Sequence, residues 1–206
     1  AALARPDAPT SALVALFSLH QALSALDRLE VRGRDSAGIQ LLVSGHGLDV
    51  DDPALRARLD ERADPTFSSG SVRTHDGNLA FVYKAAFEIG ELGDNTAALR
   101  DTIRADDLLA EAIAGPDATV LVLGHTRWAS VGIISEPNAH PQCSDETDRT
   151  DGPLVTAVLN GDVDNHTDLV AADDLRINPA ITTDAKVIPV KVSRRLGEGR
   201  TAAEAF

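Results

Sequence analysis

The sequence predicts an α+β fold in which two stacked β-sheets lie between layers of helices. Leucines recur at helical spacing close to the amino terminus, and a second stretch with helical spacing occupies residues 94–114. Short β-branched and apolar runs typical of strands lie between and after these stretches. Because strands and helices do not alternate as a regular βαβ repeat, the pattern suits two sheets covered by helices on both sides.

The first predicted helix runs from Thr10, its candidate N-cap, to about residue 30. Residues 1–9 are too broken by prolines to form a helix. After the helix, Gly33 and Gly38 allow tight backbone turns, and a strand follows. The core-facing stripe of the helix is Leu16, Leu19, Leu23, Leu26 and Leu29, and the alternating residues of the strand are Ile39, Leu41 and Val43.

Residues 44–77 form a polar segment rich in glycine and proline, in which Asp52 and Pro53 open one short capped helix. Residues 79–87 predict a strand, and residues 94–114 predict a single helix. The candidates for the N-cap of that helix are Asp94 and Asn95, and the residues that end it are Gly115 and Pro116.

The second half of the chain begins with a continuous apolar strand at 120–123 that ends at Gly124. The acidic segment 144–152 does not have the spacing of a calcium loop and predicts a solvated turn. The further predicted elements are a strand at 153–160, a helix at about 164–175, an extended segment at 181–183, a helix that opens at Asp184 and that Pro189 kinks or shortens, and a first helical turn at 201–206.

The composition limits the classes of partner. The chain has 206 residues, 43% of them hydrophobic and 25% charged, as in ordinary globular proteins. Its net charge of −13 argues against nucleic acid and against an anionic membrane surface, because both would repel it. Cys143 is the only cysteine, and the sequence has neither a signal peptide nor an apolar run of 18 residues, so a cytoplasmic location is predicted.

Residues 120–141, VLVLGHTRWASVGIISEPNAHP, couple the buried strand to a loop dense in hydrogen-bonding side chains. A packing role explains Trp128 but not the polar residues around it, which lack apolar periodicity. These residues are His125, Thr126, Arg127 and Ser130. Loops at the ends of core strands commonly carry binding groups, so we expect the functional site here.

Four motif blocks resemble those of the class II glutamine amidotransferases, specifically the glutaminase domain of glucosamine-6-phosphate synthase-like proteins. The blocks occur in the same order and cover about a quarter of the chain. They are LEVRGRDSAG at 29–38, HTRWASVG followed by SEPNAHP, LNGDVDNHTDL at 159–169, and TTDAKVI at 182–188.

The resemblance implies one glutamine amidotransferase type 2 domain over residues 1–206, with a four-layer α-β-β-α sandwich of the N-terminal-nucleophile hydrolase type. It marks residues 44–77 as an insertion with no assigned role. The implied partners are L-glutamine and a C-terminal sugar isomerase-type synthase domain of the same protein, with a homodimer as a further candidate; no cofactor and no metal are implied. The lack of methionine and the helical turn at the end predict a chain truncated at both ends.

A glutamine site needs a cation, an anion and an oxyanion hole. By resemblance, Arg127 binds the α-carboxylate through two parallel hydrogen bonds. Asp184 binds the α-ammonium, unless it is a plain N-cap. Asn160, through its amide, and Gly161, through its backbone N–H, stabilise the tetrahedral oxyanion, unless they form a type I′ hairpin turn.

Four further residues complete the predicted site. Arg32 is expected near the reacting centre, although it could instead form a surface pair with Asp35. Trp128 matches a residue that gates the passage of ammonia, with a core tryptophan as the alternative. Ser130, which keeps the hydroxyl of the usual threonine, and His140 are expected to contact the substrate.

The chain departs from the family pattern at several positions. Val131 and Leu159 replace histidines and Lys186 replaces a glutamate, so the substrate orientation or the ammonia acceptor is expected to differ. The family nucleophile is an N-terminal cysteine whose own α-amine serves as base, and we expect it about four residues upstream of Ala1. Cys143 is a poor substitute because it lacks that free amine.

Two functional classes stay open. The first is a glutaminase domain that hydrolyses L-glutamine to glutamate and ammonia for transfer to an acceptor, expected to be a sugar phosphate such as fructose 6-phosphate. The second is a noncatalytic glutamine-binding or regulatory module. The amidophosphoribosyltransferases rank lower because they share R-G-x-D-S-A-G with this chain but not H-T-R-W or N-A-H-P.

Overall fold

The computed structural model describes residues 3–4, 8–87, 91–149 and 152–206. The strands are β1 (Ser36–Ser44), β2 (Val72–His75), β3 (Asn78–Ala85), β4 (Thr119–Arg127), β5 (Gln142–Cys143) and β6 (Thr156–Ala157). The helices are α1 (Thr10–Leu29), α2 (Pro53–Asp60), α3 (Asp94–Ala105), α4 (Asp107–Ile113), α5 (His166–Ala172), α6 (Val187–Gly197) and α7 (Ala202–Ala205). Short 3₁₀ turns occupy Glu30–Arg32, Glu136–Asn138 and Asp184–Lys186.

The main sheet has four antiparallel strands in the order β2-β3-β1-β4. The central strands β1 and β3 are buried along nearly their whole length, so both faces of the sheet are covered. Strands β5 and β6 form a separate two-stranded antiparallel pair. The described chain is therefore a mixed α+β fold, as the sequence predicts.

The first face of the main sheet packs against α1, α3 and α4. Leucines of α1 and α3, including Leu19, Leu23 and Leu99, are fully buried against Ile39 and Tyr83 of the sheet. The leucine stripe of α1 is thus the core-facing surface that its spacing predicts, although Leu29 is half exposed. This cluster contains most of the buried apolar side chains and provides the rigid base for the site.

The second face packs against β5 and the loops around it. Phe67, Val82 of β3 and Cys143 of β5 form a buried cluster, which places the small strand pair over the main sheet. Beyond β5, the amine of Lys186 donates to the backbone carbonyl of Cys143 (2.7 Å), immediately before α6. Because each strand of the second pair has only two residues, the full four-layer sandwich stays a prediction.

The prediction of one helix over residues 94–114 is wrong. Asp106 is extended (φ −82°, ψ 102°) and separates α3 from α4, and its carboxylate accepts from the Leu109 N–H (3.0 Å) as the N-cap of α4. The same carboxylate also binds Arg62 and the Tyr83 hydroxyl. The N-cap of α3 is Gly93 and not Asp94 or Asn95.

Other predicted boundaries also move. Pro9, not Thr10, is the N-cap of α1, and the predicted strand 153–160 contributes only Thr156–Ala157 to a ladder. Pro189 lies in the first turn of α6, where a missing N–H costs little, and the helix continues to Gly197. Part of the predicted broken segment 1–9 lies outside the described residues. The caps of α2 by Asp52 and of α7 by Thr201 match the predicted helix starts.

The segment 44–77 is integrated into the fold. It contributes α2 and the unpredicted strand β2, and Phe67 belongs to the second core cluster. Arg73 forms an ion pair with Asp145 (2.6 Å), and the Ser69 N–H donates to the Glu136 carboxylate (3.2 Å). The segment therefore supports the loops that carry the site, a position that its polar composition does not reveal.

Within the described residues, every helix is too short or too polar to cross a membrane.

Candidate active site

One cleft of about 260 Å³ contains all eight residues that the sequence predicts as a site. It lies where the carboxyl end of β4 meets the segment after β6 and the 3₁₀ turn at Asp184–Lys186. Its lining consists of Arg32, His125, Thr126, Arg127, Trp128, Ser130, His140, Leu159, Asn160, Gly161, Asp162, Thr183 and Asp184. The structure thus brings together motifs that lie up to about 150 residues apart in the chain.

The polar residues after Gly124 begin as strand and not as loop. Strand β4 continues to Arg127, and its pairing with β1 places His125 opposite Gly38 and Arg127 opposite Ser36. Because side chains alternate along a strand, His125 and Arg127 project from the same face of the sheet. The predicted strand end at Gly124 is therefore wrong, and the extension gives both side chains a rigid support.

Two glycines of the VRGRDSAG motif permit close backbone approaches. A Cβ atom on Gly38 would lie 2.0 Å from the carbonyl oxygen of His140, and one on Gly33 would lie 2.8 Å from the carbonyl oxygen of Thr126. Glycine at position 38 thus lets the NAHP segment pack directly on β1. This contact sets the position of His140 relative to β4.

Arg127 is buried, with 5% of its surface exposed. Its guanidinium donates to the backbone carbonyls of Val131 and Ile133, and so shapes the loop after β4. Burial lowers the pKa of Arg127 below its usual value, while the charges of Asp184 and Asp35 raise it. A guanidinium has five N–H donors, so donors remain for a ligand after these two bonds.

Asp35 is a tether for the same loop. Its carboxylate accepts from the Ala129 N–H (2.7 Å), and its own N–H donates to the Arg127 carbonyl (3.2 Å). The alternative of a surface pair between Arg32 and Asp35 is therefore wrong. Arg32 is exposed at the cleft, where its charge is available to a ligand.

Asp184 is buried, with 4% of its surface exposed, and accepts from the Val163 N–H (2.5 Å). Thr183 is the N-cap of the turn that Asp184 begins, and that turn has no side-chain cap bond, so the plain N-cap alternative is wrong. Asp184 and Arg127 line the same cleft with opposite charges. Such a pair can hold the two charged groups of an α-amino acid.

Asn138 was missed in the sequence although it lies in the NAHP motif. Its side chain is completely buried; its oxygen accepts from the N–H groups of Thr182 (2.6 Å) and Thr183 (2.8 Å), and its nitrogen donates to the Ser135 hydroxyl (2.8 Å). Asn138 therefore ties the NAHP segment to the segment that ends in Asp184. The only sequence feature that could have identified Asn138 as part of the site was its position inside the NAHP motif.

Asn160 and Gly161 are exposed at the cleft and do not form a hairpin turn. Strand β6 ends at Ala157 and pairs with β5, and the next element after Gly161 is helix α5. Gly161 has a φ of +156°, in a region that favours glycine. The preceding residue, Leu159, donates its N–H to Nδ1 of His140 (3.3 Å), which fixes the start of this turn.

Trp128 and Ser130 lie at the exposed rim of the cleft. Trp128 is 71% exposed, so the alternative of a core tryptophan is wrong. The Ser130 hydroxyl donates to the carboxylate of Asp162, a residue that sequence reasoning did not include in the site. This bond joins the loop after β4 to the turn at 160–161.

The rings of His125 and His140 are in contact, with centroids 4.7 Å apart. Burial, followed by the charges of His125, Arg127 and Lys84, lowers the pKa of His140 to about 3. Burial also lowers the pKa of His125. Both rings are therefore neutral at neutral pH.

Cys143 is not among the residues that line the cleft. Its side chain is 1% exposed, and burial raises the pKa of its thiol although the charge of Lys186 opposes this. A buried thiol with a raised pKa is a poor nucleophile, as the sequence predicts. Ala1, which the predicted nucleophile would precede, lies outside the described residues.

Most of the chain aligns in sequence with one region of larger proteins. No family model matches. The chain is 29% identical over 89% of its length to a protein of Shouchella clausii, and 28% identical over 88% of its length to one of Mycolicibacterium smegmatis. A protein of Mesorhizobium japonicum is 38% identical over 40% of the chain. All three are named glutamine–fructose-6-phosphate aminotransferase (isomerizing).

The chain spans about a fifth of the length of the first two of these relatives, 21% and 22%. The chain is thus related to a region of the glutamine–fructose-6-phosphate aminotransferases.

Proposed function

We propose that this chain is a class II glutaminase domain that binds L-glutamine in the cleft and hydrolyses its carboxamide to glutamate and ammonia. The observation that carries the proposal is the joint placement of Arg127, Asp184, Asn160 and Gly161 on one cleft. The first two carry the charges that an α-carboxylate and an α-ammonium require, and the other two supply neutral hydrogen-bond donors.

The chemistry needs a nucleophile, which we place upstream of Ala1 as an N-terminal cysteine. Its α-amine accepts the thiol proton, and the thiolate attacks the carboxamide carbon. Asn160 and Gly161 donate to the oxyanion that forms, and the carboxamide nitrogen leaves as ammonia after accepting a proton. Water then hydrolyses the thioester to release glutamate.

The acceptor of the ammonia is proposed from the relatives. Their name includes fructose 6-phosphate, and the chain spans about a fifth of their length. We therefore propose a sugar phosphate as acceptor and a synthase domain of the same protein as partner, with the exposed Trp128 at the rim as a candidate gate. A cytoplasmic location and a homodimer remain part of this proposal.

Calorimetry with L-glutamine tests the binding step. Arg127→Ala should weaken binding by roughly a few hundred- to several thousand-fold, because removing one partner of a buried ion pair costs about 3–5 kcal/mol. Arg127 also holds two loop carbonyls, so Arg127→Lys, which keeps the charge without the planar fork, should give an intermediate loss. Arg56→Ala, which removes an exposed ion pair with Asp51, is the matched control. If the Arg127→Ala variant binds L-glutamine with an affinity within about tenfold of that of the original chain, the assignment of Arg127 to the α-carboxylate is contradicted.

A noncatalytic glutamine-binding module is the second candidate. The observation that favours it is the burial of Cys143, which has a raised pKa and does not line the cleft, so the described residues supply no reactive thiol at the site. The residues upstream of Ala1 in the full protein distinguish the two candidates, because only an N-terminal cysteine there supports hydrolysis.

A further inference from the structure

The two histidines of the cleft have complementary hydrogen-bonding groups. Nδ1 of His140 accepts from the Leu159 N–H (3.3 Å), so the neutral ring carries its proton on Nε2. This Nε2 is buried and has no partner among the described residues. His140, of which only 4% is exposed, therefore keeps an unused buried donor on the wall of the cleft.

His125 has the opposite free group. Burial lowers its pKa, while a hydrogen bond from the ring to the backbone of Leu159 raises it. Its Nδ1 is buried and has no partner among the described residues. In the neutral tautomer that carries its proton on Nε2, Nδ1 is an unused acceptor, beside the unused donor of His140.

Buried polar groups without partners are costly, and a ligand that pairs with them is favoured over one that does not. A primary carboxamide has one acceptor oxygen and an N–H₂ donor. A carboxylate has acceptors only, and it would place an anion beside two neutral rings. The donor and acceptor on the wall of the cleft are thus complementary to a carboxamide and not to a carboxylate.

We propose that His125 and His140 determine the specificity of the cleft for a primary carboxamide: Nε2–H of His140 donates to the carboxamide oxygen, and Nδ1 of His125 accepts from the carboxamide nitrogen. This inference rests on the proposed function and names the residues that separate L-glutamine from L-glutamate. It predicts that the product L-glutamate binds more weakly than L-glutamine.

The positions of the neighbouring groups agree with this orientation. Leu159, whose N–H donates to the His140 ring, directly precedes Asn160 and Gly161, so the carboxamide end of the ligand would lie beside the proposed oxyanion donors. Arg127 lies two residues beyond His125 on the same face of β4, about 7 Å along the strand. That separation is comparable with the extent of a glutamine side chain, which places the α-carboxylate at Arg127.

Calorimetric titrations with L-glutamine and L-glutamate test the inference. The original chain should bind glutamine at least about tenfold more tightly than glutamate, the loss expected for one unpaired buried hydrogen bond. His140→Phe and His125→Phe remove the ring nitrogens and should each lower glutamine affinity by roughly tenfold or more while changing glutamate affinity by less than about threefold. His20→Phe, on the exposed face of α1, should leave both affinities unchanged.

A second measurement uses the unsubstituted chain, so it does not depend on how well the variants fold. Imidazole ¹⁵N chemical shifts should move at Nε2 of His140 and Nδ1 of His125 on addition of glutamine, and much less with glutamate at equal saturation. If the chain binds glutamine without these shifts, this inference alone is overturned. The same holds if the folded His140→Phe and His125→Phe variants keep the preference for glutamine over glutamate. A chain that binds neither ligand overturns the proposed function as well.

Discussion

At the residue scale, the cleft combines side chains that we propose contact the ligand with side chains that hold them in place. The placement of Arg127, Asn160 and Asp184 on one cleft could be predicted because all three lie in the motif blocks. Asn138 and Asp35 could not, because their importance lies in hydrogen bonds to backbone N–H groups that are distant in sequence. Such contacts leave no periodic signal in a single chain.

Asn160 provides a kinetic prediction. In a chain extended with an N-terminal cysteine, Asn160→Ala should lower kcat by about 10²–10³ with little change in KM, because its donor is needed most in the transition state. Steady-state ammonia release measures both constants. A variant with a lowered melting temperature and nearly intact kcat would indicate a role in folding only.

His140 provides a prediction on stability against pH. Its folded pKa of about 3 lies below the unfolded value of about 6.5, so between these values only the unfolded chain takes up the proton. The free energy of unfolding should therefore fall as the pH falls from about 6.5. Between pH 8 and pH 5, the His140→Gln variant should lose about 2 kcal/mol less of this free energy than the original chain. Urea unfolding at several pH values measures the difference, and parallel curves for the two proteins would exclude this contribution.

At the element scale, predictions succeeded where one element follows its own periodicity. The leucine stripe fixed α1, and alternation located β1. Predictions failed where a tertiary contact decides the boundary: Asp106 ends α3 while its carboxylate caps α4 and binds Arg62 and Tyr83. Strand β2 was missed because its four residues alternate weakly and are ordered by pairing with β3.

Gly38 tests how β1 supports the site. A methyl group there would lie 2.0 Å from the His140 carbonyl oxygen, so Gly38→Ala must displace backbone and should lower the free energy of unfolding by more than about 2 kcal/mol. Gly124→Ala is the matched control, since its methyl group would meet only the movable end of Leu26 at 3.2 Å. Chemical denaturation compares the two, and a Gly38→Ala variant no less stable than the control would refute the close packing.

At the scale of the whole molecule, a helix-covered antiparallel sheet carries the cleft on its second face. The mixed α+β class could be predicted from the distribution of helical and strand-like stretches. The extent of the second sheet could not, because residues 153–160 have strand-like composition but only two of them enter the ladder. The integration of residues 44–77 likewise depends on contacts such as Arg73 with Asp145, which composition does not encode.

We propose that the cleft binds glutamine and that an N-terminal cysteine makes it a glutaminase. The most direct measurement is ammonia release from L-glutamine by the chain of 206 residues and by a version that begins Cys-Gly-Ile-Val before Ala1 with a free amine. Turnover is expected only in the extended chain, and Arg127→Ala in that chain should abolish it. An electrophilic glutamine analogue should label the added cysteine and not Cys143. Turnover by the unextended chain, labelling of Cys143, or an extended chain that binds glutamine without hydrolysing it would contradict this proposal.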